Sequence, residues 1–125
     1  MIDLINRYPK DIKDHCFRVA SIVSKSPNIN DSIIQISLLH DILEDTDTTS
    51  SELPMSIRDD VIILTRRNDE TYFEYIDRIK NSGSKKAIAV KIADLKDHLE
   101  QKDTLKDSLK DRYIKALNIL EGETQ

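Results

Sequence analysis

The segment His40-Asp41-Ile42-Leu43-Glu44-Asp45 closes a strongly apolar stretch with one imidazole and three carboxylates. A buried helix has little reason to end this way unless these groups reach water, cap neighbours or bind something positive. On an ideal helix His40 and Asp41 point about 100° apart, so they face one ion only at a shared edge or after side-chain adjustment. Four residues on, Glu44 returns to the His40 side and Asp45 to the Asp41 side. This separates candidate metal ligands, His40 and Asp41, from candidate proton-transfer groups, Glu44 and Asp45.

The chain has three histidines, His15, His40 and His98. His15 sits near the Val19-Ala20 face of an expected helix, where packing can bring it to His40. Asp94 follows the apolar segment Val90-Lys91-Ile92-Ala93 and offers a second carboxylate from another element. His15, His40, Asp41 and Asp94 together give two imidazoles and two carboxylates. Such mixed nitrogen and oxygen donors favour manganese, iron or zinc over calcium, which takes oxygen ligands.

These groups must be positioned by helices. Ile12, Cys16, Val19, Ala20 and Val23 recur at three- and four-residue spacing and predict a first helix, ending at Ser26-Pro27-Asn28. Asn30 or Asp31 caps a second, which runs through Ile33, Ile34, Ile36, Leu38, Leu39, Ile42 and Leu43 and is apolar enough to be central. Asp45-Thr46-Asp47-Thr48-Thr49-Ser50-Ser51 reads as a loop. Thr49 with Glu52, Ser56 with Asp59 and Thr71 with Glu74 are reciprocal caps, and a third helix is expected from near Ser56. Tyr72, Tyr75, Ile76 and Ile79 form the next amphipathic stripe, Asn81-Ser82-Gly83-Ser84 the next loop, and Ala87, Ile88, Val90, Ile92 and Ala93 the next helix. Leu105, Leu109, Tyr113, Ala116, Leu117 and Leu120 mark the last. Val61-Ile62-Ile63-Leu64 is the best strand candidate, but its capped helical context outweighs it. The expectation is an all-α fold of five or six helices.

The 125 residues suffice for one core, and residues 1–125 read as a single domain. Apolar residues are 38% and charged residues 34%, spread along the chain, which excludes a disordered polar segment. Nineteen basic against 23 acidic side chains give a net charge of −4, so no specific DNA or RNA partner is indicated, although a local phosphate pocket is compatible. The single cysteine, Cys16, excludes an intrachain disulfide and multi-cysteine zinc patterns. With no secretory start and no apolar run of about 18 residues, a cytoplasmic protein without a membrane partner is expected. Monomer and homo-oligomer stay equally open.

Three stretches, His15-Cys16-Phe17-Arg18-Val19-Ala20, His40-Asp41-Ile42-Leu43-Glu44-Asp45-Thr46 and Val90-Lys91-Ile92-Ala93-Asp94-Leu95, resemble the HD-domain metal phosphohydrolases in order and content. The resemblance is nearest to the hydrolase domain of RelA/SpoT-like proteins, which remove pyrophosphate from guanosine tetra- and pentaphosphate. Leu64-Thr65-Arg66 and Tyr72-Phe73-Glu74-Tyr75-Ile76 also resemble intervening elements of that family, so the likeness covers roughly residues 10–100.

The resemblance implies an HD-domain fold and a divalent ion, Mn2+ or alternatively Fe2+ or Zn2+, on His15, His40, Asp41 and Asp94. It implies catalytic roles for Glu44 and Asp45. A phosphorylated guanosine nucleotide, or a related small nucleotide, is the expected partner. Arg66, Arg67, Lys91 and Lys96 are candidate phosphate contacts, and Tyr72 is a candidate wall of the base pocket. Two positions depart from the family. His98 stands where an asparagine is usual, and Leu95 where arginine or lysine usually follows the last metal aspartate. Both point to an altered nucleotide contact. No synthetase domain fits in this length, so hydrolysis without synthesis is implied. Hydrolysis of another nucleotide, and nucleotide binding without turnover, are the competing readings.

Overall fold

Proline and small polar residues set the helix boundaries. In the computed structural model, which describes residues 2–27, 29–101 and 106–122, Pro9 precedes α2 (Lys10–Ser24) and Pro54 precedes α5 (Met55–Ile63), with φ near −58° and −54°. Asn30 caps α3 (Asp31–Leu39) by accepting the Ile33 amide at 2.9 Å. Thr71 and Glu74 cap α6 (Tyr72–Asn81) reciprocally, the Thr71 amide donating to Glu74 Oε1 at 2.8 Å and the Glu74 amide to Thr71 Oγ1 at 3.2 Å. Ser84 caps α7 (Lys85–Glu100) through the Ala87 amide. Each such cap contributes about 1 kcal/mol. Gly83, at φ +78°, takes the left-handed turn between α6 and α7 that a side chain would strain.

The described residues form α1 (Ile2–Ile5), α2 (Lys10–Ser24), α3 (Asp31–Leu39), α4 (Ile42–Asp45), a 3₁₀ turn (Ser50–Glu52), α5 (Met55–Ile63), α6 (Tyr72–Asn81), α7 (Lys85–Glu100) and α8 (Asp107–Glu121), with no strand among them. Val61, Ile62 and Ile63 are helical, so the strand alternative fails.

Eight helical segments exceed the five or six expected, for two reasons. The N-terminal residues add the single turn α1. The second expected helix is also two: α3 stops at Leu39 and α4 restarts at Ile42. His40 Nδ1 lies 2.7 Å from the Ser37 carbonyl oxygen, the group to which the Asp41 amide would donate in an unbroken helix. Asp41 leaves helical geometry at φ −101°, ψ 1°. A second correction concerns Ser56. It lies inside the first turn of α5 rather than at its cap, because Pro54 occupies that position. Asn28 and Leu105, assigned above to a turn and to the last apolar stripe, lie outside the described residues.

α7 packs against α2, α3, α5, α6 and α8, while α3 packs against α1, α2, α5 and α7. Between them lies a core of Val19, Ile36, Leu39, Ile42, Ile57, Val61, Ile76, Ile79, Val90 and Leu95, all fully buried or nearly so. No helix of the described residues is long and apolar enough to cross a membrane. Because α2, α3 and α7 are mutual neighbours, polar groups at matching heights on them must meet.

Candidate metal centre

They meet at His15 on α2, His40 and Asp41 at the α3–α4 break, and Asp94 on α7. One ligand atom from each of the four lies within 4.8 Å of all the others. His15 Nε2 is 2.7 Å from Asp94 Oδ1 and 3.7 Å from Asp41 Oδ2. His40 Nε2 is 3.2 Å from the same Asp94 oxygen and 3.3 Å from the same Asp41 oxygen. Neighbouring ligands about 2.1 Å from a common ion are separated by about 3 to 3.4 Å, so these spacings suit a divalent cation after small adjustments. His15, His40 and Asp94 are buried, and Asp41 is partly open.

The tautomer of His40 fits as well. A carbonyl only accepts, so Nδ1 carries the proton toward Ser37 and Nε2 is the nitrogen left to face Asp41 and Asp94. Burial works against the His40 imidazolium, yet the Asp41 charge and the Asp94 hydrogen bond raise its pKa well above the ordinary value. His15 is raised in the same way: burial opposes the charge, and Asp94 and Asp97 overcome it. Asp94 stays ionised far below its usual range despite burial, chiefly because Lys91 and the imidazoles surround it. The carboxylates of the cluster therefore favour positive charge beside them, which Asp94 Oδ2 meets as the Lys91 ammonium at 2.8 Å. A buried His/His/Asp/Asp cluster of this kind can chelate a metal ion and suits a metal-dependent hydrolytic site.

Lys91, expected among phosphate contacts, is buried instead. Its Nζ lies 2.8 Å from Asp94 Oδ2 and 5.0 Å from the centre of the Tyr75 ring. That places it behind the metal position. Lys96 faces away and pairs at 3.7 Å with Glu121 on α8.

His98, one turn after Asp94, is stacked between two rings. It lies 4.6 Å from His15 and 5.0 Å from Tyr113, and its Nε2 is 3.3 Å from Asp94 Oδ1. It lines a 340 Å³ recess together with His15, Asp41, Asp45 and Asp97.

Asp45 shares that recess, whereas Glu44 lines a larger open groove of 960 Å³ with Ser50, Thr65, Arg66, Arg67 and Asn68. Glu44 Oε1 accepts the Arg66 amide at 2.6 Å. Burial raises both carboxyls above their usual range, with the Arg66 amide opposing the shift at Glu44 and Asp41 reinforcing it at Asp45.

Arg66 and Arg67 border the groove, and the Arg66 guanidinium lies 5.8 Å from the Tyr72 ring. Arg112 covers that ring at 4.7 Å, and Tyr72 Oη is buried without a hydrogen-bond partner. Tyr72 lines a second recess with Phe73, in which Arg66 and Arg112 face Asp69 and Glu70 and which shares Arg66, Asn68 and Glu70 with the groove.

Two residues at this site went unassigned from sequence, Asp97 and Arg18. Asp97 is 1% exposed, and its carboxylate bridges His15 Nδ1 at 2.6 Å and Arg18 Nε at 2.9 Å. The available signal was helical spacing: Asp97 and His98 stand three and four places after Asp94 and share its face. The all-α arrangement and the His/Asp cluster are consistent with an HD-domain-like protein. No protein-family model and no curated protein sequence matches the chain.

Proposed function

We propose that residues 1–125 form one HD-type domain that hydrolyses guanosine tetra- or pentaphosphate, releasing pyrophosphate from the 3′ position, in the manner of the RelA/SpoT-like enzymes the sequence resembles. The observation that carries the reading is the convergence of His15, His40, Asp41 and Asp94, with Asp45 in the recess that His15 and Asp41 line and Glu44 in the groove of Arg66 and Arg67. Mn2+ is the assigned ion, with Fe2+ and Zn2+ as competitors for the same donors. When bound, such an ion polarises a phosphoryl oxygen and acidifies water.

The chain's own groups supply the rest. Asp45, in the recess with His15 and Asp41, takes the proton from the attacking water at its carboxylate oxygen. The water oxygen forms the new bond to the phosphorus of the 3′ linkage, and the bond from that phosphorus to the 3′ oxygen breaks. Glu44, on the groove side of the pair, returns a proton to the leaving 3′ oxygen. Arg66 and Arg67 neutralise phosphates along the groove, and the Tyr72 ring carries the base. Lys91 holds Asp94 in place rather than touching substrate.

A second reading, hydrolysis of a different phosphorylated nucleotide, is favoured by His98. An imidazole stacked on His15 and Tyr113 presents a different hydrogen-bonding edge from the asparagine amide usual there. The test is incubation of Mn2+-loaded protein with guanosine tetraphosphate and a panel of ordinary nucleotides, with detection of released phosphate and pyrophosphate. Pyrophosphate from guanosine tetraphosphate alone supports the first reading, and turnover of another nucleotide the second. Binding without product across Mn2+, Fe2+ and Zn2+ rejects both in favour of a nucleotide-binding domain.

A further inference from the structure

The two imidazoles of the cluster are oriented by different means. His40 is fixed by a backbone carbonyl, which no substitution removes. His15 is fixed by a side chain, Asp97, and Asp97 is itself held from behind by Arg18. We infer that Asp97 is the positioning residue that makes His15 Nε2 a metal-binding nitrogen, and that Arg18, by holding its other oxygen, sets which way the group at position 97 faces. The inference rests on the metal-centre reading above.

A carboxylate accepts and never donates. Both ring nitrogens of His15 face carboxylates, Nδ1 that of Asp97 at 2.6 Å and Nε2 that of Asp94 at 2.7 Å; Asp97 keeps the proton on Nδ1, so Nε2 is the nitrogen that gives up its proton when a metal takes Asp94. The second oxygen, Oδ1, accepts from Arg18 Nε at 2.9 Å, which prevents the carboxylate from swinging away. The Asp97 side chain is 2% exposed while that of Arg18 is 44% exposed, so the lock is reachable by substitution from the surface.

An asparagine at position 97 converts this into a sharp test. Its amide has one accepting and one donating end. Arg18 offers only N–H, so it takes the amide oxygen and turns the NH2 group toward His15 Nδ1. A donor opposite Nδ1 keeps that nitrogen unprotonated and moves the ring proton to Nε2, where it excludes the metal. Removing Arg18 as well frees the amide to rotate and accept from Nδ1–H.

The experiment measures Mn2+ affinity calorimetrically, without nucleotide, for wild type, Asp97→Asn, Arg18→Met and the double variant. Thermal unfolding of the metal-free proteins serves as the folding control. Asp97→Asn is expected to weaken Mn2+ binding about 10- to 100-fold. Arg18→Met alone weakens it less than Asp97→Asn does, and the double variant binds more tightly than Asp97→Asn. In the Zn2+-loaded wild-type protein, nitrogen NMR of the imidazoles should show His15 protonated at Nδ1, a readout that survives even if Asp97→Asn fails to fold. Wild-type affinity in Asp97→Asn, no gain in the double variant, or a His15 ring metallated through Nδ1 overturns the role of Asp97. Absence of Mn2+ and Zn2+ binding in the wild-type protein overturns the metal-centre reading itself.

Discussion

His40 Nδ1 lies 2.7 Å from the carbonyl oxygen of Ser37, and this one contact both ends α3 and aims the imidazole. A ring hydrogen bond at that carbonyl competes with the helical one, so the chain turns at Asp41 and presents two ligands from consecutive residues.

Metal binding to a site present only in the folded chain must stabilise it. At free Mn2+ about 100-fold above the dissociation constant, the gain is about 2.7 kcal/mol. Thermal unfolding with and without Mn2+ should show this increment in the wild-type protein and its loss in His40→Ala, whose metal-free fold is the control.

Glu44 and Asp45 are assigned to proton transfer and not to the ion. Glu44→Gln and Asp45→Asn should each lower turnover by about 10²- to 10⁴-fold while leaving Mn2+ affinity close to wild type. A substrate with a better leaving group, which needs no acid, should recover activity in Glu44→Gln but not in Asp45→Asn. Loss of Mn2+ from either variant contradicts the division of roles.

Lys91 is a buried cation whose partner is Asp94. Burial opposes its charge, and Asp94 nonetheless holds its pKa well above the ordinary lysine value. Lys91→Met leaves Asp94 buried with one cation fewer and should destabilise the metal-free protein by about 3 kcal/mol. Mn2+ should restore part of that loss, measured as a larger metal-induced shift in denaturant midpoint than wild type shows. A variant as stable as wild type contradicts the pairing.

The groove rim carries its own pH signature. Arg78 donates to Glu70 Oε2 at 2.6 Å and Oε1 at 3.0 Å, and to the Ile63 and Thr65 carbonyls at 3.0 and 2.9 Å. The Arg78 hydrogen bonds hold the Glu70 carboxyl down to about 2, against an ordinary 4.5. A pKa lower in the folded than in the unfolded chain gives stability that is complete above the ordinary value and lost as pH falls toward the lowered one. Wild type should therefore exceed Glu70→Gln in unfolding midpoint above pH 4.5, with the gap closing toward pH 2. A gap that is constant with pH contradicts this.

Much of this was legible in residue types and spacing. The apolar stripes and the Asn30, Thr49 and Thr71 caps are local signals, and they matched the helical turns. The meeting of His15, His40 and Asp94 followed from motif order, although only the mutual packing of α2, α3 and α7 supplies its physical cause. The break at His40 was not legible, because it depends on a ring folding back onto its own helix, which periodicity does not register. The burial of Lys91 escaped for a related reason: a lysine three places before an aspartate reads equally as surface pair or buried clamp until tertiary packing covers it. Asp97 was visible as a letter, but its partner Arg18 is 79 residues away and no local pattern connects them.

The central claim is that one divalent ion is held by His15, His40, Asp41 and Asp94. Its most direct test is an anomalous difference map at the manganese edge from crystals of the Mn2+-loaded protein. The account predicts a single strong peak within bonding distance of His15 Nε2, His40 Nε2, Asp41 Oδ2 and Asp94 Oδ1. A peak elsewhere, or none between these four side chains at saturating Mn2+, contradicts it.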